Sequence, residues 1–178
     1  MSRDIWVISD THFNHSNILK FTDKVGKPIR NFANTEEMDE TMIARWNSVV
    51  KPGDKVYHLG DVLFGVNREE WMNKHFPRLM GQKRLIVGNH DGIVMMSKGG
   101  WFKKVELWRN FSEFGLLLTH VPVHQSTLKE GHRFGEGRSM VNVHGHIHQN
   151  ASPAGPYKCV CVEQTNYTPV NIEDIRVI

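Results

Sequence analysis

Five short apolar runs in this chain each end in side chains able to bind metal ions. Ile5–Ser9 runs into Asp10-Thr11-His12, Lys55–Leu59 into Gly60-Asp61, and Arg84–Val87 into Gly88-Asn89-His90-Asp91. Gly115–Leu118 runs into Thr119-His120, and Met140–Val143 into His144-Gly145-His146-Ile147-His148. In open α/β sheets the ligand crevice lies beyond the carboxyl ends of the strands, so five such ends can converge on one point. The convergent set is Asp10, His12, Asp61, Asn89, His120, His146 and His148, with His90 beside them. Oxygen and imidazole donors without a thiolate suit divalent manganese, iron or zinc, with nickel as a further candidate. Seven donors are too many for one tetrahedral site, which takes about four, and the right number for two ions if one carboxylate bridges. Paired ions about 3.5–4 Å apart are a recurring device for hydrolysing phosphoryl esters. The interposed glycines would let the backbone turn tightly and approach closely.

These motifs differ in information content. Asp-x-His and Gly-Asp recur by chance in many chains, whereas Gly-Asn-His-Asp is expected in roughly one chain in a thousand of this size. Their order, each after an expected strand, is what sets the ensemble apart from turns and core histidines.

The elements that must hold these ends follow from patterning. Asn34-Thr35-Glu36-Glu37 reads as a capped helix start, and Met38, Met42, Trp46, Val49 and Val50 then recur at helical spacing toward Lys51-Pro52-Gly53-Asp54. Trp46 is accordingly expected in the core. A short helix is expected near Ser16–Phe21, and another from Asn67-Arg68-Glu69-Glu70 to Pro77. Val105–Trp108 and Tyr157–Val162 read as further strands. With helices early and strands late, the pattern predicts a layered α/β protein whose sheet becomes largely antiparallel toward the C-terminus.

The 178 residues fit one domain, with 39% hydrophobic and 23% charged side chains in the folded range. A net charge of +3 without any charge block argues against a nucleic-acid-binding tail. No apolar run approaches the ~18 residues of a membrane span. The opening MSRDIWVISDTH lacks a signal-peptide stretch, and Cys159 and Cys161 are badly spaced to pair with each other. A reducing cytoplasm is the expected setting.

The ordered pattern D-x-H, G-D, G-N-H-D, a later H and G-H-x-H, from Asp10 to His148, resembles that of the calcineurin-like metallophosphoesterase family. The context Asp10-Thr11-His12-Phe13 with His15, and the ending Asn166-Tyr167-Thr168-Pro169-Val170, look most like its small bacterial and phage-type members. The resemblance implies a four-layer α/β fold, two mixed β-sheets face to face with helices outside. It implies one ion held by Asp10, His12, Asp61 and His148 and another by Asp61, Asn89, His120 and His146, with Asp61 bridging. Manganese is the first candidate for both. It also implies that His90 faces substrate. One departure stands out: many members follow Gly-Asp with an Asp-Arg pair whose arginine grips phosphate, and here Val62-Leu63-Phe64 follows instead. Protein-phosphatase activity is therefore not expected.

The expected chemistry is hydrolysis of a phosphodiester or phosphomonoester. Water bridging two cations would become the nucleophile near neutral pH, and His90 would protonate the leaving oxygen. Asp91 is either a partner that orients His90 or a helix cap before Gly92-Ile93-Val94. His15 and His124 are candidates to line the crevice, and Arg30, with Arg45 and Asn47 behind it, to contact phosphate. His58, His75, His132 and His144 read as structural. A small phosphorylated substrate is the expected partner, with no membrane. A nuclease ranks lower, because nothing here suggests a second nucleic-acid-gripping domain or aromatic-basic interleaving. A catalytically dead interaction scaffold ranks lowest, because the whole donor set is retained.

Overall fold

The computed structural model describes residues 3–128 and 140–177. Among these residues nine strands form two sheets. β1 (Ile5–Ile8), β2 (Lys55–His58), β3 (Gln82–Ile86), β4 (Val105–Glu106) and β9 (Val170–Asn171) make the first, in the order β4-β3-β2-β1-β9. β5 (Trp108–Phe111), β6 (Leu116–Thr119), β7 (Val141–His144) and β8 (Tyr157–Cys159) make the second, in chain order. β1 to β4 run parallel, and the apolar residues of β1, β2 and β3 come in unbroken pairs rather than alternating with polar ones because both faces of this part of the sheet are covered. One residue of each pair faces the other sheet, and its neighbour faces helices. Val7, Tyr57 and Ile86 join Phe111, Leu116, Leu118, Val143 and Val160 between the sheets. Ile8, Val56 and Leu85 pack instead under the helices. Two mixed sheets lie face to face with flanking helices, as the family resemblance implied.

The helices fill the crossovers: α1 (Thr35–Val49) between β1 and β2, α2 (Arg68–His75) between β2 and β3, and α3 (Ile93–Lys98) between β3 and β4. α1 starts as its sequence dictates. The Asn34 side chain accepts a hydrogen bond from Glu37 N at 2.8 Å, and the Glu37 carboxylate accepts one from Ala33 N at 2.6 Å. Its Met38, Met42, Ile43 and Trp46 stripe is buried, and the Trp46 indole donates to Met80 O at 2.9 Å. The expected helix near Ser16 is a 3-10 turn, Ser16–Lys20.

The second sheet departs from expectation. β6 pairs with β7, and β7 with β8, in parallel; only β5 with β6 is antiparallel there. The connections after β6 and β7 are too long for hairpins and return the chain to the same end. The expected strand Val105–Trp108 is two strands on different sheets, because the chain passes from one to the other at Leu107. Tyr157–Val162 likewise leaves its sheet after Cys159: Ser9 N donates to Val160 O at 3.0 Å, and Val162 N to Ser9 O at 3.1 Å. That crossing ties the chain at Ser9-Asp10, the first of the candidate ligand segments, to the last strand of the second sheet.

Candidate metal centre

The carboxyl ends of β1, β2, β3, β6 and β7 meet where the two sheets adjoin. Asp10, His12 and His148 bring ligand atoms within 4.8 Å of one another, and so do Asp61, His120 and His146. One carboxylate faces both groups: Asp61 Oδ2 is 3.6 Å from His12 Nε2 and 3.5 Å from His120 Nε2. Asp10 Oδ1 lies 3.8 Å from His12 Nε2 and 3.9 Å from His148 Nε2. Asn89 Oδ1 is 2.8 Å from His120 Nε2 and 2.9 Å from His146 Nδ1.

The backbone holds these groups in costly conformations. Asp10, His12, Asp61, His146 and His148 all have positive φ, between 46° and 71°. Side chains other than glycine seldom adopt this region, and it recurs at functional sites. The neighbouring glycines serve close approach. A Cβ on Gly60 would lie 2.5 Å from Gly88 N and 2.8 Å from His120 Nδ1, one on Gly88 would strike Asp61 Oδ1, and one on Gly145 would strike Ser9 Oγ and Asp10 Oδ2.

The donor chemistry fits cations. Asp10 Oδ2 is occupied by Ser9 Oγ, His146 N and Cys161 Sγ, which leaves Oδ1 without a partner among the described residues. Both ring nitrogens of buried His12 also lack one. Burial, with Arg30 and the neighbouring histidines adding, holds His12 far below the usual histidine range, so its ring is neutral and offers a lone pair. His120 Nδ1 donates to Leu59 O at 2.7 Å, which turns its Nε2 lone pair toward Asp61 Oδ2 and Asn89 Oδ1. His148 Nδ1 donates to Glu163 Oε1 at 2.9 Å and aims Nε2 at Asp10. Carboxylate oxygens and imidazole nitrogens thus converge at distances a divalent ion can bridge. Burial also raises the Asp61 carboxyl, with Asp10 and Asp91 adding to the effect and His120 opposing it.

The remaining candidates divide sharply. His90 donates its backbone N–H to Asp61 Oδ1 at 2.9 Å, and its exposed ring lies 5.7 Å from His12 and 5.3 Å from Phe64. His15 is half-buried beside His12 at 5.6 Å and Phe64 at 4.4 Å, with Nδ1 unpartnered among the described residues. His124 lies apart: it is exposed and bonds within its own turn to Ser126 and Thr127.

Asp91 neither orients the His90 ring nor caps α3. Its carboxylate accepts from the amides of Asp61, Gly88 and Val62 at 2.8–3.0 Å, because the two glycine turns leave those N–H groups without a strand partner. Arg30 is not a phosphate handle either. It is buried, donates to the carbonyls of Thr11 and Asp10, and pairs with Glu163 Oε1 at 2.7 Å, so its guanidinium is spent beneath the Asp10–His12 turn. Arg45 is tied to Asn166, and Asn47 bonds Arg78 O and Met80 N. His58 bonds Thr11 Oγ1 and Gly60 N, His75 stacks on Trp71, and His144 bonds Gly145 O and Ser152; His132 lies outside the described residues.

Sequence reasoning missed Glu163. Burial alone would raise its carboxyl, but the His148 hydrogen bond and the Arg30 charge hold it below the usual range. Its only local sign was an acid directly after the apolar run Cys159–Val162.

Residues 4–157 match the model of the calcineurin-like phosphoesterase superfamily domain. The chain is 34% identical to the uncharacterized protein MJ1445 of Methanocaldococcus jannaschii, over 96% of this chain and 88% of that one. It is 29% identical to the gene 66 protein of Mycobacterium phage L5, over 80% and 76%. The crystal structure of AQ665, a protein of unknown function from Aquifex aeolicus, shares the fold with a TM-score of 0.72 at 23% identity, covering 98% of each chain. The chain belongs to the calcineurin-like phosphoesterase superfamily.

Proposed function

We propose that this chain hydrolyses a small phosphodiester or phosphomonoester with two divalent cations, manganese first among them, in a reducing cytoplasm. Asp10, His12, Asp61 and His148 hold one cation, and Asp61, Asn89, His120 and His146 hold the other. The observation that carries this reading is the single oxygen Asp61 Oδ2, 3.6 Å from His12 Nε2 and 3.5 Å from His120 Nε2. Bound there, the cations would draw charge from the phosphoryl oxygens and make water acidic enough to attack phosphorus near neutral pH.

The chain's own groups do the rest. Leu59 O and Glu163 fix the tautomers of His120 and His148, so each presents a lone pair inward. Arg30 steadies the Asp10–His12 turn from below. Asp91 gathers three amides and so fixes the bridging carboxylate relative to the Gly88 turn. His90, anchored through its backbone to Asp61, extends an exposed ring at the rim and gives its proton to the leaving oxygen.

His90→Asn tests this. A nitrophenolate departs without a proton, whereas an alkoxide of high pKa needs one. The variant should keep its metal and lose about 10²–10⁴-fold in turnover on alkyl esters, with a visibly smaller loss on nitrophenyl esters. Equal losses on both, with metal unchanged, would make His90 a phosphate-positioning residue.

A further inference from the structure

A second cavity borders the centre. It has a volume of about 630 Å3 and shares Asn89 and His120 with the proposed metal ligands. Its other walls come from Val87 just after β3, Leu107 where the chain crosses between sheets, Trp108, Leu117 and Thr119 on the outer face of the second sheet, and Val121, Val123 and Thr127 after β6. That volume lies within the range of small-molecule sites, about 300–1,000 Å3. Leu107 and Trp108 are about three-fifths exposed (60% and 62%), a large apolar surface for a chain to leave open beside its active centre. Among the described residues, none that lines the cavity is Lys, Arg, Asp or Glu. The threonine hydroxyls are spent internally: Thr119 donates to Val121 O and accepts from Asn142, and Thr127 donates to His124 O. Such walls offer contact area and an indole face, and among the described residues no charged side chain to pair with a second phosphate.

The cavity's position says which part of a substrate it would hold. His90, which serves the leaving oxygen, lies against His12 and Phe64, beside the Asp10–His12–His148 group. The cavity borders the other group, through His120 and Asn89. Resting on the phosphoesterase reading above, we infer that this pocket receives an uncharged aromatic group, an aryl ring or a nucleobase, carried on the non-leaving side of the phosphorus. The preferred substrate is therefore a diester rather than a monoester, since only a phosphorus with a second organic substituent can fill both sides.

The test compares phenylphosphonate with methylphosphonate, neither hydrolysable, by calorimetry on the manganese-loaded chain. Wild type should bind phenylphosphonate about tenfold or more tightly, the expected gain from burying a phenyl ring. Trp108→Ala and Leu107→Glu, both at exposed positions, should bring the two ligands to near parity with methylphosphonate affinity and metal content unchanged. Equal affinities in wild type, a preference that survives both variants, or no binding of either ligand would overturn the inference. So would variants that change only the oligomeric state in light scattering, which would make the patch a contact between copies. A phenyl preference without turnover of p-nitrophenyl phenylphosphonate would support the pocket and count against the hydrolase.

Discussion

Glu163→Gln should separate the centre's stability from its metal affinity. Glu163 is the carboxylate partner of buried Arg30, at 2.7 Å, and of His148, at 2.9 Å, and its side chain is 2% exposed. Glutamine keeps the shape and removes the charge, so Arg30 is left as an uncompensated buried cation. Breaking a buried pair in this way costs about 3–5 kcal/mol. In a domain of this size, where 1 kcal/mol moves the melting temperature by about 2–4 °C, the loss is roughly 6–20 °C. His148 also loses the carboxylate that fixes its tautomer, a change worth about 10–100-fold in metal affinity. Urea unfolding of the metal-free variant reads the first effect, and chelator competition for manganese reads the second. Adding Arg30→Met removes the stranded cation and should recover part of the stability while leaving metal affinity low. Glu163→Gln within about 1 kcal/mol of wild type, at unchanged manganese affinity, would refute the reasoning.

Two further predictions concern the scaffold. Trp46→Ala should cost about 3–5 kcal/mol in denaturant unfolding, because Trp46 is 1% exposed on the α1 stripe; an unchanged midpoint would contradict that packing. His58 is pushed down to about 3 by burial, with His120 adding. Its Nε2 donates to Thr11 Oγ1, whose own proton goes to Val62 O, and its Nδ1 accepts from Gly60 N, so protonation would set two donors face to face. With the folded value below the unfolded one of about 6.5, its contribution is whole above pH ~6.5 and is lost as pH falls toward ~3, by roughly 1.4 kcal/mol per pH unit. His58→Gln should flatten the metal-free stability profile by up to one proton across that window; parallel profiles would count against a neutral buried His58.

The convergence of the seven candidate donors was legible because each follows an apolar strand, and in parallel sheets the ligand crevice lies at the strand ends. The α1 stripe was legible for a similar reason, since burial on one face leaves helical spacing in the sequence. What could not be read was direction and destination. Leu116–Thr119 and Val141–His144 look alike whether parallel or antiparallel, because apolar composition records burial and not the course of the chain between strands. Val105 to Trp108 reads as one run although Leu107 takes the chain between sheets. Arg30 resembled a phosphate ligand because its partner Glu163 lies 133 residues away. Asp91 resembled a partner for His90 because three unpaired amides at Asp61, Val62 and Gly88 exist only once two turns are brought together. The positive φ values at five of the donors leave no mark in side-chain type.

The measurement closest to the central claim is metal content after manganese loading and desalting, in wild type and in Asp61→Ala. Asp61 Oδ2 faces both donor groups, so wild type should retain two equivalents and the variant should lose both. One equivalent or none in wild type, or a variant that still retains two, would contradict a bridged two-ion centre.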